Sequence, residues 1–316
     1  MDTGKITWQF ARDEIKRPPL TPGQMAWRRF RRHKMAILGT TILLAIILYI
    51  TLGALVYSEE TANFNDINIK LSPPSWSHLF GTDLTGRDIL ARTIYGGQIS
   101  IIIGLLSVIV TVFVGVLIGA VAGFYGGILD SLLMRFTEAM FNIPQLFLLI
   151  LLAKLIGGKV PTFHWLGRTF SGSVIVIIVV IGLTSWMYLA RIVRAEFLTL
   201  KQQEYITAAR CIGTSNISLI LEHILPNSIA PIIVTSTLQV ANAILAEAYV
   251  SFLGVGVQPP TATWGNMLDQ AYYHLESEPW MWFFPGMLIL LTVLAINFVG
   301  DGLRDAFDPR GLVKTE

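Results

Sequence analysis

The chain has 316 residues, of which 53% are hydrophobic and only 14% charged, with a mean hydropathy of +0.61. Soluble domains carry about 25% charged residues, so there is too little polar side chain to coat a water-soluble body, and the sequence reads as an integral membrane protein. A formal net charge of +2 leaves no footprint for nucleic acid, and one cysteine, Cys211, excludes an internal disulfide and a multi-cysteine metal site.

Residues 1–34 form a polar, basic segment that ends in WRRFRRHK, Trp27–Lys34. Such a cluster anchors the next helix against anionic headgroups; a docking surface for a partner is the sharper alternative. The first apolar run, Met35–Tyr57, begins too late and runs too long for a cleaved signal. A membrane-spanning helix needs about 20 apolar residues. Five further runs qualify or come close: Ile99–Ala122, Ala139–Ile156, Ser173–Ala190, Ile229–Phe252 and Met281–Val299. None shows the period-2 alternation of a membrane barrel. The fold expected is all-α with six spans over residues 35–300, followed by a polar tail at 301–316.

Lys and Arg orient the chain, because cytoplasmic segments collect them. With residues 1–34 inside, 17 of the 23 basic residues fall inside and six outside. Both termini are therefore expected in the cytoplasm. The loops near 58–98 and 253–280 are then outside, and the loop 196–227 is inside.

The first outer loop contains FGTDLTGRD, where Asp83, Arg87 and Asp88 suit caps and ion pairs at a turn before a short helix. Catalysis there is the weaker alternative. In the second span Gly115, Gly119 and Gly123 recur every four residues, a spacing that lets two backbones approach closely in lipid. Asn142, Pro144 and Gln145 put a kink and two amides into the third span, which marks a buried or cavity-facing side and makes Asn142 and Gln145 candidates for a translocation path. The fifth span carries a lone acid, Glu247. An intramembrane carboxylate is a functional candidate, either on the translocation path or in a structural pair with a basic residue or near the interface. The second outer loop, LGVGVQPPTATWGNML with Trp264 near its end, suits a lid or docking rim.

The inner loop is EFLTLKQQEYITAARCIGTSNISLILEHILPN, Glu196–Asn227. Glu204–Ile212 reads as a short helix stopped by Gly213. Ser215 or Asn216 caps a second helix expected to end before Pro226. Ala208 and Ala209 keep the first helix thin enough to enter a groove on a partner. Lying on the headgroups is the alternative that physics alone leaves open. No phosphate loop, histidine ligand spacing or serine elbow is found. YGGQIS, Tyr95–Ser100, resembles part of an ATPase signature in letters only and falls at an outer helix start.

These motifs, taken together, resemble the permeases of ABC importers. The inner loop is similar to their EAA loop, E-A-A-x3-G-x9-I-x-L-P, with Ala208, Ala209, Gly213, Leu225 and Pro226 in register. Thr207 stands at the Glu position and His223 at the Ile position, and Glu204 lies one turn earlier. FGTDLTGRD, EYITAAR, SFLGVGVQPPTATWGNML and GDGLRDAFDPR resemble the dipeptide and oligopeptide branch, specifically its second, C-type subunit. The resemblance implies a multi-pass subunit of the cell membrane that is not an enzyme. Its implied partners are a second permease, two ATPase subunits that bind ATP and Mg, and an extracytoplasmic peptide-binding protein. It also implies that Glu204, Tyr205, Thr207, Ala208, Ala209, Arg210, Gly213 and Pro226 form the ATPase-coupling element. The chain itself is expected to hold no cofactor or metal. Nickel and glutathione importers share the motifs and stay open as alternatives. An ion-coupled secondary carrier is the alternative of another class, although several intramembrane acids and inverted repeats would be expected of it.

Overall fold

The computed structural model describes residues 21–156, 158–165 and 168–308. The basic residues before Thr21, the end of GDGLRDAFDPR at Pro309-Arg310, and the rest of the tail lie outside the described residues. Helix α1 (Pro22–Phe30) opens with a capping box between Thr21 and Gln24, and His33 Nδ1 accepts from Ala36 N at 3.0 Å to start α2 (Lys34–Val56). A short α3 (Glu59–Asn63) follows, capped by Ser58.

Helix α4 (Ile89–Tyr125) is one continuous rod of 37 residues, about 55 Å long at 1.5 Å per residue. The sequence predicts a separate short helix followed by a span from Ile99. The two are one, because Asp88 caps the start by accepting from Ala91 N at 2.9 Å and nothing after it breaks the ladder. The rod is longer than the roughly 30 Å hydrocarbon layer, so it carries structure beyond the layer.

The third predicted span is not one helix. It divides into α5 (Gly127–Phe141) and α6 (Gln145–Ile156), bent by 85°. Pro144 has no N–H to donate and disfavours helical geometry at Ile143. Asn142 Nδ2 turns back to Glu138 O at 2.9 Å and closes the first piece. Twelve residues reach about 18 Å, so α6 crosses only as part of the bent pair. Five helices are long and apolar enough to cross, and the bent pair makes six.

After α6 the chain forms a hairpin that the apolar pattern does not foretell: β1 (Phe163–Trp165) pairs antiparallel with β2 (Arg168–Phe170). Arg168 fastens it to the bundle through Glu59 at 2.9 Å and Gln98 at 2.7 Å, over the Tyr95 ring. Helix α7 (Ser173–Leu200) then runs back along α4. The stripe of small residues lies against α7, in the most extensively packed helix pair of the described residues. A Cβ at Gly119 would lie 2.5 Å from Ala190 O, and one at Gly123 would lie 2.6 Å from Phe197 Cβ.

Next comes α8 (Glu204–Cys211). Beyond it the chain is helical through α9 (Asn216–Ser218), a π-helical turn at Leu219–Ile224, and α10 (Leu225–Asn227). The second helix therefore does not stop before Pro226 as the sequence predicts. The wider i to i+5 bonding just upstream shifts the carbonyls that the proline ring would otherwise strike. The remaining elements are α11 (Ile229–Phe252), α12 (Trp264–Ala271) and α13 (Trp280–Phe307). Helix α13 continues seven residues past the predicted boundary at 300, because Gly302 fits against Ala36 and Phe30 and nothing breaks the helix. Arg29 Nη1 donates to Asp308 O at 2.7 Å, so the described ends of the chain meet.

Candidate functional site

The bundle has two ends of different character. At the end nearest the hairpin, a dense cap forms over the helices. Asp83 is 5% exposed and takes Thr85 N at 2.8 Å, Arg87 N at 3.0 Å and Arg87 Nε at 2.7 Å, with Arg92 Nε at 3.7 Å. Burial alone would raise this carboxyl. The Arg87 and Arg92 guanidiniums and the backbone donors outweigh it and hold Asp83 below the usual carboxylate range. Asp88 caps α4 and also meets His78 Nδ1 at 2.8 Å. The three residues of the first outer loop are thus a scaffold for one turn.

Trp264 is fully buried, which differs from its predicted place on a rim. Its indole N–H donates to Thr93 O at 2.9 Å, and its ring lies where a Cβ at Gly97 would come within 2.5 Å. Glycine at 97 is the residue that lets the ring reach the helix. Beneath it sits Glu247, 0% exposed. Ser251 Oγ donates to Glu247 Oε1 at 2.7 Å and Ser100 Oγ donates to Oε2 at 3.1 Å. The same hydroxyls accept from Val257 N at 3.1 Å and Trp264 N at 3.2 Å. Glu247 therefore holds two helices and the loop together. This corrects its candidacy for the translocation path. It pairs with hydroxyls rather than with the basic partner or interface predicted for a structural role.

The path-like surface lies on another stripe of α11. A cavity of about 590 Å³ is bounded by α6, α7 and α11, with Gln145, Ser185, Tyr188, Gln239, Asn242 and Tyr249 on its wall. A second cavity of about 560 Å³ shares Tyr188, Gln239 and Asn242 with it and reaches Glu196, Arg304 and Asp308. Both volumes fall within the usual range for small-ligand pockets. Gln145 is on the wall. Asn142 is not, because its amide is spent on capping α5. Ser185, Gln239 and Asn242 were not picked out in the sequence. The signal was available: Gln239, Asn242, Ala246 and Tyr249 recur at spacings of three and four, one face of a helix.

At the opposite end α8 stands out from the bundle. Ile206 and Ala209 face inward onto Phe197, Leu219 and Ile224. Glu204, Tyr205, Thr207, Ala208 and Arg210 face outward, as does Ile212 at 85% exposure. Ala209 is therefore a packing residue, and Ala208 is the small residue on the outer face. Pro226 is exposed beside Asn227, whose Nδ2 donates to His223 O at 2.6 Å. Gly213, at φ +88°, ends α8: its N–H bonds Arg210 O at 3.1 Å and Thr214 N bonds Ala209 O at 3.1 Å. This double bond pattern with a left-handed residue is the Schellman stop.

A multi-pass helical body, with a groove lined by apolar and neutral polar side chains and a short helix with a polar outer face at one end, is the layout of a membrane transport subunit. The chain belongs to the family of binding-protein-dependent transport system inner membrane components, whose pattern matches residues 115–312. Residues 21–74 match the N-terminal TM domain of oligopeptide transport permease C. Dipeptide transport system permease protein DppC of Bacillus subtilis is 39% identical over 302 residues, covering 94% of this chain and 89% of that protein. Oligopeptide transport system permease protein OppC of Haemophilus influenzae is 38% identical over 289 residues, 91% and 88% of the two chains. Glutathione transport system permease protein GsiD of Shigella dysenteriae is 38% identical over 290 residues, 92% and 91%. The chain is an inner-membrane permease component of an ABC importer, a transport subunit and not an enzyme. Membership implies ATPase subunits and a substrate-binding protein as partners, and it sets aside the ion-coupled secondary carrier.

Proposed function

We propose that this chain moves short peptides inward as one half of an ATP-driven importer. The observation that carries the reading is similarity along 94% and 91% of the chain to permeases named for dipeptides and oligopeptides. The glutathione relative fits the same chemistry, since glutathione is a modified tripeptide. A wall of neutral amides and hydroxyls set among apolar side chains supports a peptide cargo, whereas a free divalent cation is met by imidazole, carboxylate or thiolate.

The assembly in this reading holds a second permease, two ATPase subunits that bind ATP and Mg, and an extracytoplasmic binding protein. Both chain ends and α8 face the cytoplasm, and the Asp83–Trp264 cap faces outside. The outward face of α8, with Glu204, Tyr205, Thr207, Ala208 and Arg210, docks on an ATPase subunit, while Ile206, Ala209 and Gly213 set its angle.

The test is uptake of labelled di- and tripeptides, glutathione and nickel in cells with and without this chain. Loss of peptide uptake alone supports the reading. Loss confined to nickel overturns it. Orientation is tested separately in a Cys211→Ser background, because Cys211 is exposed. Cysteine at Thr61 or Trp76 should react with an impermeant thiol reagent from outside, and cysteine at Ile212 only after the membrane is opened. The reverse pattern would contradict the topology.

A further inference from the structure

The groove wall carries a hydrogen-bonded ladder that spans three helices. Asn242 Nδ2 donates to Gln239 Oε1 at 3.1 Å, and Gln239 Nε2 donates to Ser185 O at 3.1 Å. From the other side, Gln145 Nε2 donates to Ser185 Oγ at 3.0 Å. Ladders of this kind are costly in an apolar bundle unless their groups are satisfied. This one is satisfied along its length and open at its ends. Asn242 Oδ1 and Gln145 Oε1 have no partner among the described residues, and both side chains are exposed on the cavity wall.

The wall of this cavity has no Asp, Glu, Lys, Arg or His among the described residues. Charged groups stand at its margins: the Arg191 guanidinium lies over the Phe141 ring of this wall, 4.5 Å from its centre, and Glu196, Arg304 and Asp308 line the adjoining cavity toward the α8 end. Asn242 and Gln239 line both cavities, so the ladder sits where the two join. A neutral wall matters because coulombic attraction grows steeply as the dielectric falls. A fixed charge at this depth would trap one class of side chain or terminus and repel the other. Amides and hydroxyls both give and accept hydrogen bonds, as the repeating N–H and C=O of a peptide backbone do.

We infer that the Gln145–Ser185–Gln239–Asn242 ladder is the station at which the moving peptide is held by its backbone, making transport through this subunit indifferent to side-chain charge. The inference rests on the peptide-import reading above and adds to it the part of the substrate that is read. Asn242 is the substrate-facing tip, and Gln239 and Ser185 hold it in place.

The experiment compares uptake of three labelled tripeptides, one neutral, one with a central Lys and one with a central Glu. It uses the whole transporter in cells whose own copy of this chain is deleted. Wild type should import all three at similar rates. Asn242→Ala should lower all three evenly by about fivefold, the scale of one lost hydrogen bond. Asn242→Asp keeps the shape and adds a charge. It should cut the Glu peptide by about tenfold relative to the Lys peptide, since like charges a few ångströms apart repel strongly in a shielded groove. Immunoblots of the membrane fraction normalise each rate to the amount of protein. Even transport of all three peptides by Asn242→Asp would overturn the inference and leave the peptide-import reading standing. Wild type with no peptide uptake above the deletion strain would overturn both.

Discussion

Helix α11 carries two polar stripes with opposite fates. Glu247 and Ser251 face the bundle and are enclosed by Ser100, Val257 and Trp264. Gln239 and Asn242, about one to three turns earlier, face an open groove and leave hydrogen-bonding capacity unused. Polarity within a span therefore has no single meaning. A carboxyl group whose oxygens are both engaged by the same chain is an anchor, and an amide with an unengaged end is available to a cargo.

Breaking the anchored stripe should remove protein, not activity. Trp264→Ala should have the largest effect, since truncating a buried Trp costs about 3–5 kcal/mol and here also abandons Thr93 O. Little folded protein should reach the membrane, as immunoblots and thermal unfolding in detergent would register. Glu247→Ala comes next, leaving two buried hydroxyls short of an acceptor at about 1–3 kcal/mol each. Glu247→Gln keeps an acceptor and should be milder. Uptake per folded molecule should be unchanged in both Glu247 variants. Normal protein level with lost uptake would return Glu247 to the path.

A third, smaller effect concerns acid. Asp83 is held below the usual carboxylate range, so its contribution is fully present above its unfolded pKa of about 3.9. That contribution is lost as pH falls through the lower folded value. Asp83→Asn should lower the unfolding temperature at pH 7, and the gap to wild type should close as the pH is taken below 4. A gap that widens in acid would reverse the sign. Gly213→Val should be the mildest. No atom lies near its missing Cβ, so only the left-handed backbone is strained, at about 1–2 kcal/mol. Gly213→Asn should be better tolerated, and comparing the two by limited proteolysis of the α8 loop would separate backbone strain from lost packing.

Five of the spans were legible because each is a long apolar run, and α11 begins and ends at the predicted residues. The stop at Gly213 was legible because one residue type serves that geometry. The break at Pro144 was visible only as a kink, since a single chain position does not state an angle of 85°. Glu247 was misread for a physical reason. One of its two hydroxyl partners is Ser100, 147 residues away in the chain, and nothing local announces the pairing. Separations of 40 and 54 residues likewise hid the ladder, although the spacing of Gln239, Asn242 and Tyr249 marked the face. The hairpin was missed because its strands are three residues each and fastened by the side chain of Arg168.

The proposed function divides the labour among a closed cap at one end, an open groove between, and α8 as the element proposed to transmit ATPase motion. Ala208→Trp tests it most directly, because Ala208 points outward on α8 and touches neither cap nor groove. The measurement is substrate-stimulated ATP hydrolysis and peptide uptake by the purified complex reconstituted in vesicles, with subunit content checked by gel. The expected result is normal membrane level and normal pairing with the sister permease, with stimulated hydrolysis and uptake lost together. A complex that keeps its ATPase subunits and transports at the wild-type rate would contradict it.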